Sequence, residues 1–250
     1  MNSSLKRIFV LTNRNLKEII RDPLSLIFMI VVPLLLEVVF YLIFHSLTAQ
    51  FEMRYLAPGI VAFSQSFLTL FTGLLIAVDR ETSFLTRLYV SKAKSSEFII
   101  SYALAVIPLS LVQSILFFLV GGIIDPALFG LGMIYGILLS IVTAIFFIAC
   151  GILCGSLCNS KSIGGIASIV IMGQSVLSGM WFPTEGLSGG MLKVMKILPF
   201  KNTTTLLQNV VNGTITSIFN DFLLPLIIVL SYALVILLLA ILIFRKKMKQ

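Results

Sequence analysis

The sequence predicts an all-α integral membrane fold: six transmembrane helices, an N-terminal amphipathic interfacial helix, and two short re-entrant helices between the fifth and sixth spans. Of 250 residues, 58% are hydrophobic and only 11% charged, with a mean hydropathy of +1.10, which leaves too little polar surface to cover a soluble globule. Six windows, Leu24–His45, Ala57–Val78, Phe98–Val120, Ala127–Leu157, Ile163–Phe182 and Asp221–Phe244, supply the roughly 20 apolar residues that cross a hydrocarbon core about 30 Å thick. Their apolarity is continuous rather than alternating, which argues for helices over barrel strands.

The cations set the expected orientation. With the N-terminus inside, fourteen of the 18 cations lie inside, and only Arg54, Lys193, Lys196 and Lys201 lie outside. Positive-inside bias therefore puts both termini in the cytoplasm. Topology and anionic headgroups account for the net charge of +8, and no basic, aromatic surface for nucleic acid is present.

Taken in order, Met1–Asp22 has no signal-peptide core and leads straight into a full-length span. Leu5, Ile8, Phe9, Thr12, Leu16, Ile19 and Ile20 recur at three or four residues, while Lys6, Arg7, Arg14, Lys17 and Arg21 project on the other side. That division predicts a helix lying in the headgroup plane, its cations toward phosphate and cytosol. The first span holds Pro33, which frees a backbone carbonyl that neighbouring helices must satisfy. It also holds Glu37, costly in lipid, which must face protein, a water-filled cavity or a polar group; a gating role and a structural hydrogen bond are both open.

The largest cytoplasmic loop is Asp79–Glu97. Its Phe84, Leu85, Leu88 and Tyr89 fall at helical spacing, giving a short helix one apolar and one charged face on which a partner can dock; a solvated loop is the alternative. Asp125-Pro126 predicts a tight turn that makes spans three and four antiparallel neighbours. The fourth span carries Gly132-xxx-Gly136 and Gly151-xxx-Gly155, read as faces for close packing and a dimer seam. Cys150, Cys154 and Cys158 share a face there, but without histidine or acid beside them they read as small buried apolar residues rather than metal ligands.

The fifth span is rich in Gly and Ser, has Gln174 near its middle and ends at Trp181-Phe182-Pro183. Two short helices are predicted beyond it, near Gly190–Ile197 and Thr203–Val211, the second capped by Asn202 or Thr203. Both are too short to span, hence the re-entrant assignment. The sixth span stops at Arg245-Lys246-Lys247, a cytoplasmic anchor, with no soluble domain expected.

Several of these segments together resemble a known family. Arg21-Asp22-Pro23 ahead of a proline-containing span, Tyr55-Leu56-Ala57-Pro58-Gly59, Asp79-Arg80-Glu81-Thr82-Ser83-Phe84-Leu85, and Phe182-Pro183 with Leu187, Leu198-Pro199-Phe200 and Thr203 are similar to the permease subunits of class-two ABC exporters. That group holds the daunorubicin-resistance, nodulation-factor and polysaccharide-export permeases. The resemblance covers nearly the whole chain. It departs at Ser83, where the family commonly has glycine, and near Val90 and Ser91, where it commonly has proline.

The resemblance implies one permease domain over 1–250, with the interfacial helix at 1–23, a coupling region at 79–97 and re-entrant helices at 183–220. It implies a partner pair of ATPase subunits carrying ATP and magnesium, a second permease copy or paralogue, and a bacterial or archaeal cell membrane. No phosphate-cradling Gly-x-x-x-x-Gly-Lys-Ser/Thr loop and no clustered catalytic set is present, so the chain is read as a non-catalytic subunit with no cofactor of its own. Glu81, Phe84, Leu85, Arg87 and Leu88 are the expected ATPase-coupling residues, and Glu37, Gln174, Trp181 and Phe182 the candidates for a path or gate. The implied activity is ATP-driven export of an amphipathic, lipid-like or drug-like substrate. The alternative is a secondary transporter or channel without an ATPase, for which Glu37 is the one deeply placed acid.

Overall fold

The computed structural model describes residues 3–82, 95–182, 184 and 187–247, apart from the side chains at 3, 24, 25 and 245–247. Among these residues there are nine α-helices and no strand: α1 (Ser3–Ile20), α2 (Pro23–Phe44), α3 (Met53–Glu81), α4 (Ser95–Ile124), α5 (Leu131–Leu157), α6 (Ser160–Leu177), α7 (Gly189–Ile197), α8 (Pro199–Asn212) and α9 (Leu224–Lys247). Among the described residues, helices α2 to α6 and the segment Ile218–Phe244, which takes in α9 as far as Phe244, are the six stretches long and apolar enough to cross a membrane.

Several boundaries differ from those expected. The fourth span starts at Leu131 rather than Ala127, because Pro126–Leu128 forms a short 3-10 turn in which Asp125 Oδ1 accepts from the Ala127 N–H at 3.1 Å. The fifth span, α6, ends at Leu177, short of Phe182, where Gly179 takes a φ of 71° that side chains with a Cβ rarely adopt. The eighth helix starts at Pro199 instead of Thr203; a proline needs no N–H in a first turn. Asn202, the expected cap, lies inside that helix and donates to the Lys196 and Leu198 carbonyls at 2.9 and 2.7 Å.

Helix α3 is the centre of the molecule, buried along most of its length. Its sequence explains why. Gly59, Ser64, Gln65, Ser66, Thr69, Thr72 and Gly73 are small or polar and gain little from lipid but much from a facing helix. That helix is α5: Gln65 Nε2 donates to the Ser140 carbonyl (2.7 Å), Thr143 Oγ1 to Gln65 Oε1 (2.7 Å) and Thr69 Oγ1 to the Phe147 carbonyl (3.0 Å). A Cβ on Gly155 would stand 2.6 Å from the Gly73 carbonyl oxygen, and one on Gly151 2.8 Å from that of Thr69, so the two backbones touch. Gly132 and Gly136 press on Val211 of α8 in the same way. The glycine pairs of the fourth span are therefore spent inside the chain, which overturns their reading as a dimer seam.

Prolines inside helices leave carbonyls without an N–H, and at three of them a side-chain amide from another helix fills the gap. Pro33 frees the Met29 carbonyl, which accepts from Gln113 Nε2 of α4 at 3.1 Å. Pro58 frees that of Arg54, which accepts from Asn212 Nδ2 of α8 at 2.9 Å. Four residues before Pro225, the Asp221 carbonyl accepts from Asn209 Nδ2, also of α8, at 3.0 Å. In hydrocarbon no water can take over this task.

Two outcomes check this packing. Gly155→Val is expected to cost at least about 2 kcal/mol through backbone overlap, read as a lower melting temperature in detergent. Gln113→Leu is expected to cost about 1 kcal/mol by orphaning the Met29 carbonyl, and adding Pro33→Ala, which restores the missing N–H, should recover most of it.

Candidate coupling site

At the end of the bundle where α1 lies, three consecutive residues close α3, each directed to a different neighbour. Asp79, 1% exposed, accepts from Arg14 of α1, Nη2 to Oδ1 at 2.6 Å and Nη1 to Oδ2, and from the Tyr102 hydroxyl of α4 at 2.6 Å. Arg80 donates to the carbonyls of Gly155 and Ser156 (2.7 Å each) and Cys158 (3.2 Å), the open end of α5, where a cation is favoured. Glu81 accepts from the Ser160 N–H at 2.7 Å and its hydroxyl at 2.6 Å, at the N-terminus of α6, where an anion is favoured.

The second anchor is Glu97 in the first turn of α4, 3% exposed, which accepts from Arg7 Nε and Nη2 at 2.9 and 2.8 Å and from Ser4. Arg7 and Arg14 are two helical turns apart on one face of α1, so that helix bridges both flanks of the segment 83–94. Next to Arg14, Asn15 is buried and donates to Ser101 Oγ at 3.5 Å. Arg14 also pairs with Glu18 at 2.8 Å. Burial and then the Asp79 carboxylate push the Glu18 carboxyl above its ordinary range, against the pull of Arg14. One guanidinium thus serves two acids.

The five cations predicted to face phosphate and cytosol divide accordingly. Lys6, Lys17 and Arg21 are exposed, as are Leu5, Phe9 and Ile20 of the apolar stripe, whereas Arg7 and Arg14 turn inward to carboxylates. Helix α1 has three faces rather than two: one on protein, one apolar and open, one cationic and open. Asp79 and Glu97, read as loop residues, are helical and buried, because each finds an arginine and further donors. Of the expected coupling residues only Glu81 is described; Phe84, Leu85, Arg87 and Leu88 lie outside the described residues.

The proposed path residues are scattered. Glu37 is wholly buried in α2 with neither oxygen bonded, which removes the structural hydrogen bond left open for it among the described residues. Gln174 is buried and ties α6 to α8, donating to Thr204 Oγ1 at 3.1 Å and accepting from Thr203 Oγ1 at 3.4 Å. Trp181 donates to Ser175 Oγ at 3.1 Å, with its ring 4.6 Å from that of Phe40 and 5.9 Å from that of Phe63. Phe182 is half-buried. Cys150 is buried, Cys154 and Cys158 half-buried; all three are free thiols, and no group of His, Cys, Asp or Glu among the described residues forms a metal site.

Asn15, Arg80 and Tyr102 escaped the sequence reading. Spacing puts Arg7 and Arg14 on one face of α1, but it gives no signal for Asn15, Arg80 or Tyr102.

The family model of the ABC-2 type transporter matches residues 6–212, from α1 to the end of α8. The chain belongs to the ABC-2 type transporter family. No curated protein matches it. This ABC-2 chain is a non-catalytic membrane component and a multi-pass membrane protein, and membership implies an ATPase partner. In the permease the arginine clamp sits beside the segment that joins its second and third spans.

Arg14→Met strands the buried Asp79 carboxylate with Tyr102 as its remaining donor among the described residues. It is expected to cost about 2–3 kcal/mol, measured as thermal stability of the purified permease. Glu18→Gln leaves the Arg14–Asp79 pair in place and should cost under about 0.5 kcal/mol; equal effects would refute the ranking.

Proposed function

We propose that this permease exports an amphipathic, lipid-like or drug-like substrate, driven by ATP that two separate ATPase subunits hydrolyse, and that residues 83–94 are where force enters. The observation that carries this reading is the clamp: both flanks of the segment are tied to rigid parts of the bundle through Arg14–Asp79, Arg7–Glu97, Arg80 and Glu81. A load applied to a segment anchored in this way moves α1, α3, α4, α5 and α6 together instead of being lost in a slack loop. Phe84, Leu85 and Leu88 fill a groove on the ATPase, and Arg87 sets the register. Glu81 secures the segment from within the chain, since its carboxylate is bonded to Ser160.

The positive-inside count puts the clamp and both termini in the cytoplasm. Helix α1 lies at that surface, with Leu5, Phe9 and Ile20 toward lipid and Lys6, Lys17 and Arg21 toward phosphate. A cavity of about 240 Å³ between α1, α2, α3 and α4, walled by Leu26, Met29, Phe71 and Leu75 with Glu18 and Asp22 at its edge, supports an amphipathic substrate. A second permease copy or paralogue completes the path; the open glycines Gly164 and Gly165 on the exposed side of α6 suit a helix from that partner.

Two measurements test this. The tagged permease, purified from native membranes, should bring an ATPase subunit with it. Leu88→Glu should abolish that association and the substrate-stimulated ATPase while leaving insertion intact; unchanged activity would sink the assignment of the segment.

A further inference from the structure

Glu37 is the anomaly of the described structure. Its side chain is 0% exposed, and neither carboxyl oxygen has a hydrogen-bond partner among the described residues. A Cβ placed on Gly121 of α4 would meet Glu37 Oε1 and Ala57 Cβ of α3 at 3.2 Å and Leu128 Cδ2 at 3.0 Å, so the missing side chain of Gly121 is the seat in which the carboxyl rests. Helices α2 and α4 run the same way here. Met29 meets Gln113, and two turns further on along both helices Glu37 meets Gly121, with Pro33 halfway between.

A fully buried ionised carboxylate with no donor and no cation bonded to it among the described residues costs several kcal/mol, far more than the neutral acid in the same place. Glu37 therefore carries its proton while seated. Beyond it the same helix face continues with Tyr41 and His45, whose rings stack at 4.6 Å and which line a cavity of about 250 Å³ at the far end of the bundle. The other charged and titratable groups of the packed elements lie elsewhere. Glu52, Arg54 and Asp125 line that far-end cavity, with Arg54 bonded to Glu52 at 2.7 Å, and Tyr55 faces a different one. Asp79 and Tyr102 are bonded in the clamp, as is Glu97 to Arg7, at the opposite end. None of them bonds to Glu37.

We propose that Glu37 is a proton-binding site. It holds its proton while α2 sits against Gly121, and gives it to water of the Tyr41–His45 cavity when the half of α2 beyond Pro33 swings off that seat. The step is an acid dissociation: the carboxyl O–H bond breaks, its electron pair stays on Glu37, and the proton leaves on water. The hinge is local to α2, because Pro33 has already removed one rung of its hydrogen-bond ladder and Gln113 holds the freed carbonyl. That the far end faces outward, and that ATP drives the swing, rests on the function proposed above; the site itself does not.

Infrared difference spectra of the full-length permease in lipid nanodiscs test the site without any transport assay. Native minus Glu37→Gln should show, at neutral pH, the carbonyl band of a neutral carboxylic acid without a hydrogen bond; its absence overturns the proposal. Should Glu37→Gln fail to insert, Glu37→Met removes the same band without leaving a polar group. In the complex with its co-purified ATPase, trapping the ATP-bound state should convert that band to a carboxylate. A band that stays acidic in every trapped state overturns proton release. If no ATPase co-purifies, the proposed function fails while the first spectrum still decides the site.

Discussion

The structure depends on three consecutive side chains at the end of α3. Asp79, Arg80 and Glu81 reach α1 and α4, the open end of α5, and the start of α6. A helix of 3.6 residues per turn sends neighbouring side chains about 100° apart, so three in a row address three directions. Each uses a chemically suited partner: a guanidinium for the buried carboxylate, helix C-terminal carbonyls for the cation, a helix N-terminus for the anion. Since α3 is also the most buried helix, its end defines where the others stop, and the segment 83–94 starts from a fixed point.

The same demand acts through the rest of the bundle. With no water in the hydrocarbon, a protein donor is what can satisfy a broken helix ladder, and at three of the prolines one is in place. Gln113, Asn209 and Asn212 supply it at Pro33, Pro225 and Pro58, and two of the three belong to α8. Helix α8, too short to cross a membrane, is thus a keystone rather than a loop decoration. It packs on α3, α5, α6 and α9, and its end is set by Gly213 at a φ of 63°. The tight α3–α5 backbone contact at Gly73, Gly151 and Gly155 completes a core with little freedom.

Outside that core, α2 and α6 present much of their length to the surroundings. Helix α2 combines an internal proline with a buried carboxyl that bonds to none of the described residues, and α6 carries glycines with open space beside them. In the coupling role proposed above, the clamp would keep an input at one end from dissipating, and the less buried outer helices would be the ones to respond.

The sequence by itself determined the class, the six spans and the family. Length, continuous apolarity and the motifs around Asp22, Pro58, Asp79 and Pro199 are local properties, and the membrane makes local apolarity decisive. It also showed that Pro33 would need a donor and that Glu37 could not face lipid. Partner choice belonged to the tertiary structure. Arg7 and Arg14 look like headgroup anchors until Glu97 and Asp79, distant in sequence, are folded beside them. The glycine pairs of α5 look equally fit for a second chain until α3 and α8 occupy them. Periodicity tells which face of a helix a residue shares. Which neighbour meets that face is fixed only when the helices pack.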